Sequence, residues 1–364
     1  MPAQRFTGRW FLTTEASVTE PTFLAACRRA HVPYTPVWLM RQAGRYMQEY
    51  RDVRARYSFL ELCRTPAAAA EVTVTAAERL GVDAAIIFAD ILLILEPLGV
   101  GLEFTRNDGP VIQRPVRTAE DVARLPRIDA AADLTFVYEA VRLARAALKV
   151  PLIGFAGAPF TLASYLIEGG GSRHYARTKG LMYQAPHAWH ALLDLLAEHT
   201  AAYLRRQVEA GAQAVQVFDS WVGCLSPQDY RVFVLPHMQK LFAALPPEVP
   251  AIHFGTGTAG LLELLREAGG TVIGLDWRVD LAAGWQRVGF DRAIQGNLDP
   301  VVLLAPRETL LAQAREILDA AGHRPGHIFN LGHGILPQTD VDQVRALVDF
   351  VHDYSQRQRS GLAS

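Results

Sequence analysis

Short apolar runs alternate along the chain with longer stretches in which apolar residues recur every three or four positions. The runs are TPVWLM (35–40), DAAIIF (83–88), LIGFAG (152–157), AVQVF (214–218), AIHFG (251–255), TVIGLD (271–276), RAIQG (292–296) and HIFNLG (327–332). Each is rich in β-branched or aromatic residues and is followed, after a turn, by helix-period sequence, so each reads as a strand buried on both faces. The stretch APHAWHALLDLLAEHTAAYLRRQVEAG ends at Gly211, the residue type that closes a helix in a left-handed conformation. Buried strands separated by helices pair in parallel through right-handed crossovers. Eight such units predict an α/β fold of the (β/α)8 barrel kind rather than an open doubly wound sheet.

Two segments depart from the repeat. LEFTRNDGPVIQRPV (102–116) reads as a hairpin with its turn near Asn107 to Gly109, an excursion after the second strand. Residues 1–34 precede the first strand and read as an N-terminal arm, with residues 35–364 as one catalytic barrel domain. No low-complexity linker divides the chain.

Charge changes the picture only locally. With 364 residues, a formal charge of −1 and a pI near 6.8, the protein has no global field to gather nucleic acid or an anionic membrane. Affinity for anions must then come from grouped arginines, and PVWLMRQAGRYMQEYR (36–51) places Arg41, Arg45 and Arg51 just beyond the first strand. Only Lys149, Lys179 and Lys240 are lysines, but alanine is abundant too, and a compositional bias explains both. Cys27, Cys63 and Cys224 form no Cys-x-x-Cys pair, which points to a reducing cytoplasm. No apolar run of signal-peptide or membrane-spanning length is expected, since Ala84 to Leu102 is interrupted by Asp90 and Glu96.

Barrel enzymes build their sites at the C-terminal ends of the strands. Here those ends carry Arg41 and Arg45, Asp90, the loop from Gly157 to Tyr165, Asp219 and Ser220, His253, Asp276, Asn297 and His333. Polar groups are therefore expected to converge on one mouth.

The segments PVWLMRQAGR (36–45) and GFAGAPFTLASYLIEGGGS (154–172) resemble the two signature segments of the uroporphyrinogen decarboxylase family. The likeness continues through FLELCRTPAAAAEVT (59–73), IIFADIL (86–92), FDSWVG (218–223), GLDWRVD (274–280), QGNLDP (295–300) and FNLGHGILP (329–337). Departures are small: Gln48 stands where proline is common, and RARYSF varies a segment that often contains glycine. The resemblance implies removal of carbon dioxide from the four acetate side chains of uroporphyrinogen III, giving coproporphyrinogen III. It also implies no cofactor, no metal and a homodimer with facing clefts. By the same resemblance Asp90 and Arg41 are catalytic. Arg41, Gln42, Ala43, Gly44, Arg45, Arg54, Asp90, Tyr165, Ser220 and His333 bind the tetrapyrrole.

The chemistry agrees with those residue types. A macrocycle with eight carboxylates calls for donors of fixed geometry, and arginine's planar fork matches a carboxylate as lysine does not. Arg54 is read either as such a donor or as part of a solvated helix face beside Arg51, Asp52 and Arg56. Decarboxylation needs an electron sink, which a pyrrole protonated on carbon supplies itself. Asp90, near the pyrrole nitrogens, would stabilise that cation by roughly 3 kcal/mol; the competing expectation is that it caps the next turn. Arginine's pKa, above about 12, suits proton donation poorly near neutrality, so the proton comes either from Arg41 or from a held water. FDSWVG is not a Gly-x-Ser-x-Gly elbow, which argues against Ser220 as a nucleophile.

Two rival functions compete. GTGTAG (255–260), with Asp276 about 20 residues on, matches much of a dinucleotide fingerprint and suggests an NAD(P)-binding oxidoreductase, although a closed barrel lacks the crevice such sites use. A zinc-dependent corrinoid methyltransferase would need a His-x-Cys pair, whereas His253 is followed two positions on by Gly255.

Overall fold

The computed structural model describes residues 20–105, 109–127 and 129–361. Its strands are β1 (Ala85–Ile86), β2 (Leu102–Thr105), β3 (Gly109–Ile112), β4 (Leu152–Gly157), β5 (Ala214–Asp219), β6 (Ala251–Gly255), β7 (Val272–Gly274), β8 (Ala293–Gln295) and β9 (His327–Ile328). Seven of them form one parallel sheet in the order β1-β4-β5-β6-β7-β8-β9, which is the chain order of a curled barrel sheet. Helices lie between successive strands and cover the outer face.

The first predicted strand, 35–40, is reduced to a single parallel bridge between Val37 and Phe329. It still sits between the two edge strands. Trp38 donates its N–H to the Phe329 carbonyl at 3.4 Å, and the Asp83 N–H donates to the Val37 carbonyl at 2.8 Å. A regular ladder fails for a local reason. Pro36 has no N–H, and side chains take three more: Val37 donates to Asp83 Oδ2 at 2.7 Å, Leu39 to Gln42 Oε1 at 3.1 Å and Met40 to Asn330 Oδ1 at 3.1 Å. Asn330 also accepts the Leu331 N–H at 2.8 Å, which helps explain why the predicted strand 327–332 stops at Ile328.

Strands β2 and β3 pair antiparallel, with Leu102 opposite Ile112 and Thr105 opposite Gly109. Of the predicted turn residues, Asn107 and Asp108 lie outside the described residues. The long helix Pro186–Glu209 starts on a proline whose missing N–H costs nothing there. Gly211 follows with φ +122° and donates to the Val208 carbonyl at 2.9 Å, closing the helix as its sequence predicts.

Inside the sheet, Trp38, Met40, Ile153, Ile252, Val272 and Ile328 cluster with Phe23, Leu24, Ala26 and Cys27 of the short helix Thr22–Cys27. Most of the sheet residues in this cluster sit at or near the starts of their strands. The helix Thr22–Cys27 therefore fills the end of the barrel opposite the strand C-termini. Two hydrogen bonds link polar side chains across this interior: Trp38 Nε1 donates to Gln295 Oε1 at 2.9 Å, and Gln295 Nε2 to Gln216 Oε1 at 3.0 Å. No helix of the described residues is long and apolar enough to cross a membrane.

Candidate active site

Arg41 follows the first barrel segment with φ +61°, a left-handed conformation that a non-glycine residue adopts at some cost. Its aliphatic stem lies across Gly334, where any Cβ would fall inside the arginine side chain. Glycine at 334 is thus what lets the GHG segment and the arginine share one place. The exposed Arg41 guanidinium acts on three groups from other parts of the chain: it lowers the pKa values of Asp90, Tyr165 and His333. Four of the predicted residues are brought together here.

Asp90 follows β1 and is half-buried. Burial pushes its carboxyl up to about 6, against the opposing pull of the Leu92 N–H and of Arg41, while Glu96 adds a smaller upward push. Its Oδ1 accepts the Leu92 N–H at 2.9 Å, so Asp90 does cap the following turn. That bond occupies one oxygen.

Tyr165 lies on the helix Pro159–Glu168, which opens on a proline directly after β4. Burial, and then the Asp90 charge, raise its hydroxyl pKa well above the ordinary value, so it stays a protonated donor. Its ring stacks on Trp221 at 3.8 Å between centroids, and Tyr175 meets the other ring edge-on at 5.3 Å. Trp221 is held in turn: its N–H donates to the Thr161 hydroxyl at 3.3 Å, and that hydroxyl donates to Asp219 Oδ1 at 2.9 Å. Asp219 is fully buried, which pushes its carboxyl up to about 7 despite the Thr161 bond. Ser220 is half-buried between them, with its carbonyl accepting from the Thr256 hydroxyl.

His333 is half-buried, and burial first, then the guanidinium charges of Arg41 and Arg278, push its imidazole down to about 4. At neutral pH it offers a neutral N–H, not a cation. Its ring meets Trp277 edge-on, with centroids 6.4 Å apart.

The remaining predicted residues divide. Gln42 is 1% exposed and spends its amide inside the fold, accepting from Leu39 and donating to the Ala84 carbonyl at 3.2 Å. Ala43 packs on the core, and Gly44 accepts the Met47 N–H at 3.0 Å, turning the chain so that Arg45 emerges exposed. Arg54 is not on a solvated face. It is half-buried, donates to the Tyr57 carbonyl, and its charge acts on Tyr50 and on Cys63, which also feels Asp90.

Two strand-end residues do not reach the mouth. His253 is fully buried inside β6 and faces the outer helices, with its ring 5.1 Å from that of Phe242; burial pushes it down to about 4. The reason is the two-residue alternation of a strand, which turns His253 outward one step after Ile252 points in. Asn297 is 5% exposed and braces a loop, donating to the carbonyls of Asp276 at 2.8 Å and Val279 at 2.6 Å. The GTGTAG pattern is also structural: fully buried Asp276 accepts the Gly257 N–H at 2.5 Å and Arg278 Nη1 at 2.8 Å. A ribose would find that carboxylate already occupied.

Sequence reasoning did not single out Trp221, Trp277 or Arg278. The signal was present, since FDSWVG and GLDWRVD each set a tryptophan one or two positions beyond a strand-end aspartate. Among the described residues no group of three or more His, Cys, Asp or Glu side chains is arranged to hold a metal ion.

Comparison with known proteins adds the following. A family model described as uroporphyrinogen decarboxylase matches residues 19–354. The chain is 59% identical to a uroporphyrinogen decarboxylase of Carboxydothermus hydrogenoformans over 337 residues, covering 92% of this chain and 96% of that protein. It is 57% identical to that of Sorangium cellulosum, covering 91% and 95%. In fold it is similar to a methyltransferase from Methanosarcina mazei, with a TM-score of 0.77 at 19% identity, covering 92% of this chain and 98% of the other.

Proposed function

Because the chain belongs to the uroporphyrinogen decarboxylase family, we propose that the mouth around Arg41 and Asp90 is where the acetate side chains of uroporphyrinogen III lose carbon dioxide. The protein is a carboxy-lyase of porphyrin biosynthesis, and its product is coproporphyrinogen III. The observation that carries the site assignment is the meeting of Arg41 with Asp90, Tyr165 and His333.

In this reading Arg41 and Arg45 grip substrate carboxylates, with Arg54 held inward as a third cation. Gln42, Ala43 and Gly44 act through the backbone turn that presents the two arginines. Asp90 faces the pyrrole N–H groups. When the ring is protonated on carbon, its positive charge grows against the Asp90 carboxylate in a poorly solvated site, where fixed charge acts strongly. As carbon dioxide leaves, the electron pair of the broken C–C bond flows into the ring and neutralises it. A second proton then converts the resulting exocyclic methylene to a methyl group, and the proton first added to the ring carbon leaves, which restores the neutral pyrrole. Tyr165, Ser220 and His333 donate neutral hydrogen bonds to the substrate's carboxylates.

The reading takes residues 35–364 as the catalytic barrel and residues 1–34 as its arm. It extends to a cytoplasmic homodimer with facing clefts; exposed Val301 and Leu304, at 57% and 47%, lie beyond β8 on the mouth side and suit such a face. Sedimentation tests the dimer. For the reaction, the purified protein is incubated anaerobically with uroporphyrinogen III and the products are resolved by carboxylate number. Species with seven, six, five and finally four carboxylates are expected, before and after exhaustive chelation. No loss of carboxylates would overturn the reading.

A further inference from the structure

Arg278 belongs to none of the roles above, yet it is built as a receptor. Its guanidinium lies 3.9 Å over the Trp277 ring and is bonded through Nη1 to Asp276, while its own N–H also donates to Asp276 Oδ1 at 3.0 Å. The loop that carries it is pinned from both sides, by Gly257 on Asp276 and by Asn297 on the carbonyls of Asp276 and Val279. The Arg278 side chain remains 52% exposed beside fully buried Asp276. Only Nη1 of its guanidinium has a hydrogen-bond acceptor among the described residues.

Balancing the Asp276 charge does not require this arrangement. Asp276 already accepts two backbone N–H groups, and an arginine kept only for charge balance has no need of a stacked, half-exposed head. The Arg278 charge acts on His333, as does Arg41, whereas Asp90 responds to Arg41. Geometry also puts Arg278 beside His333: the Trp277 ring beneath the guanidinium meets the His333 ring edge-on, with centroids 6.4 Å apart.

We infer that Arg278 is a substrate-binding residue that receives a propionate carboxylate of the macrocycle, with the His333 ring beside it. This rests on the decarboxylase reading. The reacting acetate must lie at Asp90, on which Arg41 and not Arg278 acts, so the cation over Trp277 meets a carboxylate other than the one being lost. Propionates persist through all four rounds, and a fixed fork on one of them can hold the ring in each.

The test is steady-state decarboxylation of uroporphyrinogen III, with coproporphyrinogen III as product inhibitor, in the wild type, Arg278→Gln and Arg278→Lys. Glutamine keeps a hydrogen-bond donor for Asp276 and removes the charge. Arg278→Gln should raise KM about tenfold with kcat within about twofold, as expected for loss of one charge-assisted bond. The inhibition constant of coproporphyrinogen III should rise by a similar factor, because the product keeps its propionates. Arg278→Lys should recover part of both. Unchanged KM, unchanged product inhibition, or a fall in kcat and melting temperature without a change in KM would each overturn the inference. Wild-type protein that releases no carbon dioxide would instead sink the decarboxylase reading itself.

Discussion

Tyr165 and Trp221 lie with their ring centroids 3.8 Å apart and their planes inclined by 28°. Trp221 is itself fixed through Thr161 to buried Asp219, so the stack ties the Tyr165 hydroxyl to β5. An aromatic pair of this kind contributes about 0.5–1.5 kcal/mol beyond its buried area. Trp221→Leu should therefore lower kcat/KM by roughly threefold to tenfold, with Tyr165 present but loosely placed. Kinetics of Trp221→Leu beside Tyr165→Phe check this. If the double variant is slower than the wild type by the full product of the two single effects, the two residues act independently and the account of the stack is wrong.

The Arg41 side chain depends on the space that Gly334 leaves. Arg41→Lys and Arg45→Lys keep charge but lose the fork, so each should lower kcat/KM at least tenfold, about 1.4 kcal/mol. Gly334→Ala should do the same from a distance, because its methyl group displaces the Arg41 stem, and a misplacement of about 1 Å can cost roughly 10²-fold. Wild-type kinetics in Gly334→Ala would mean that Arg41 reaches the substrate by another path.

Asp90 is raised to about 6 chiefly by burial, with Arg41 opposing the rise. Its useful form is the anion, so kcat/KM should climb as pH passes through about 6 and level off above neutrality. Arg41→Gln removes a charge that favours the anion and should move this limb to higher pH. The limb is read from a kcat/KM profile of each protein. A limb that does not move in Arg41→Gln, or moves to lower pH, would detach it from Asp90.

Much of this was legible because period and spacing report geometry. β4 and β6 run over the predicted residues, as their apolar runs dictate. The first strand shrank to a bridge because Asp83, Gln42 and Asn330 supply acceptors from their side chains, and no periodicity encodes that. The same limit applies at the mouth. Strand ends located Asp90 and Asp219, but whether a residue there faces the barrel interior or the helices, as His253 does, depends on where the strand's alternation stands when it ends. Asp276, about 20 residues beyond GTGTAG, shows the opposite error, where a matching pattern is consumed by bonds within the fold. Arg278 was invisible for a third reason: an arginine after a tryptophan says nothing until the ring is placed beneath it.

The central claim is that the charge of Asp90, and not its capping bond, drives the reaction. Asp90→Asn isolates it, because asparagine keeps an oxygen for the Leu92 N–H, caps about as well as aspartate, and carries no charge. A raised carboxyl pKa contributes stability that is present at low pH and lost as pH rises through about 6, so at neutral pH removing the charge should leave the melting temperature unchanged or higher. The measurement is kcat for uroporphyrinogen III decarboxylation in Asp90→Asn, beside its melting temperature. The account predicts kcat lower by at least about 10²-fold, a smaller change in KM, and a melting temperature no lower than wild type. Wild-type turnover at an unchanged melting temperature would contradict it and leave Asp90 as a cap alone.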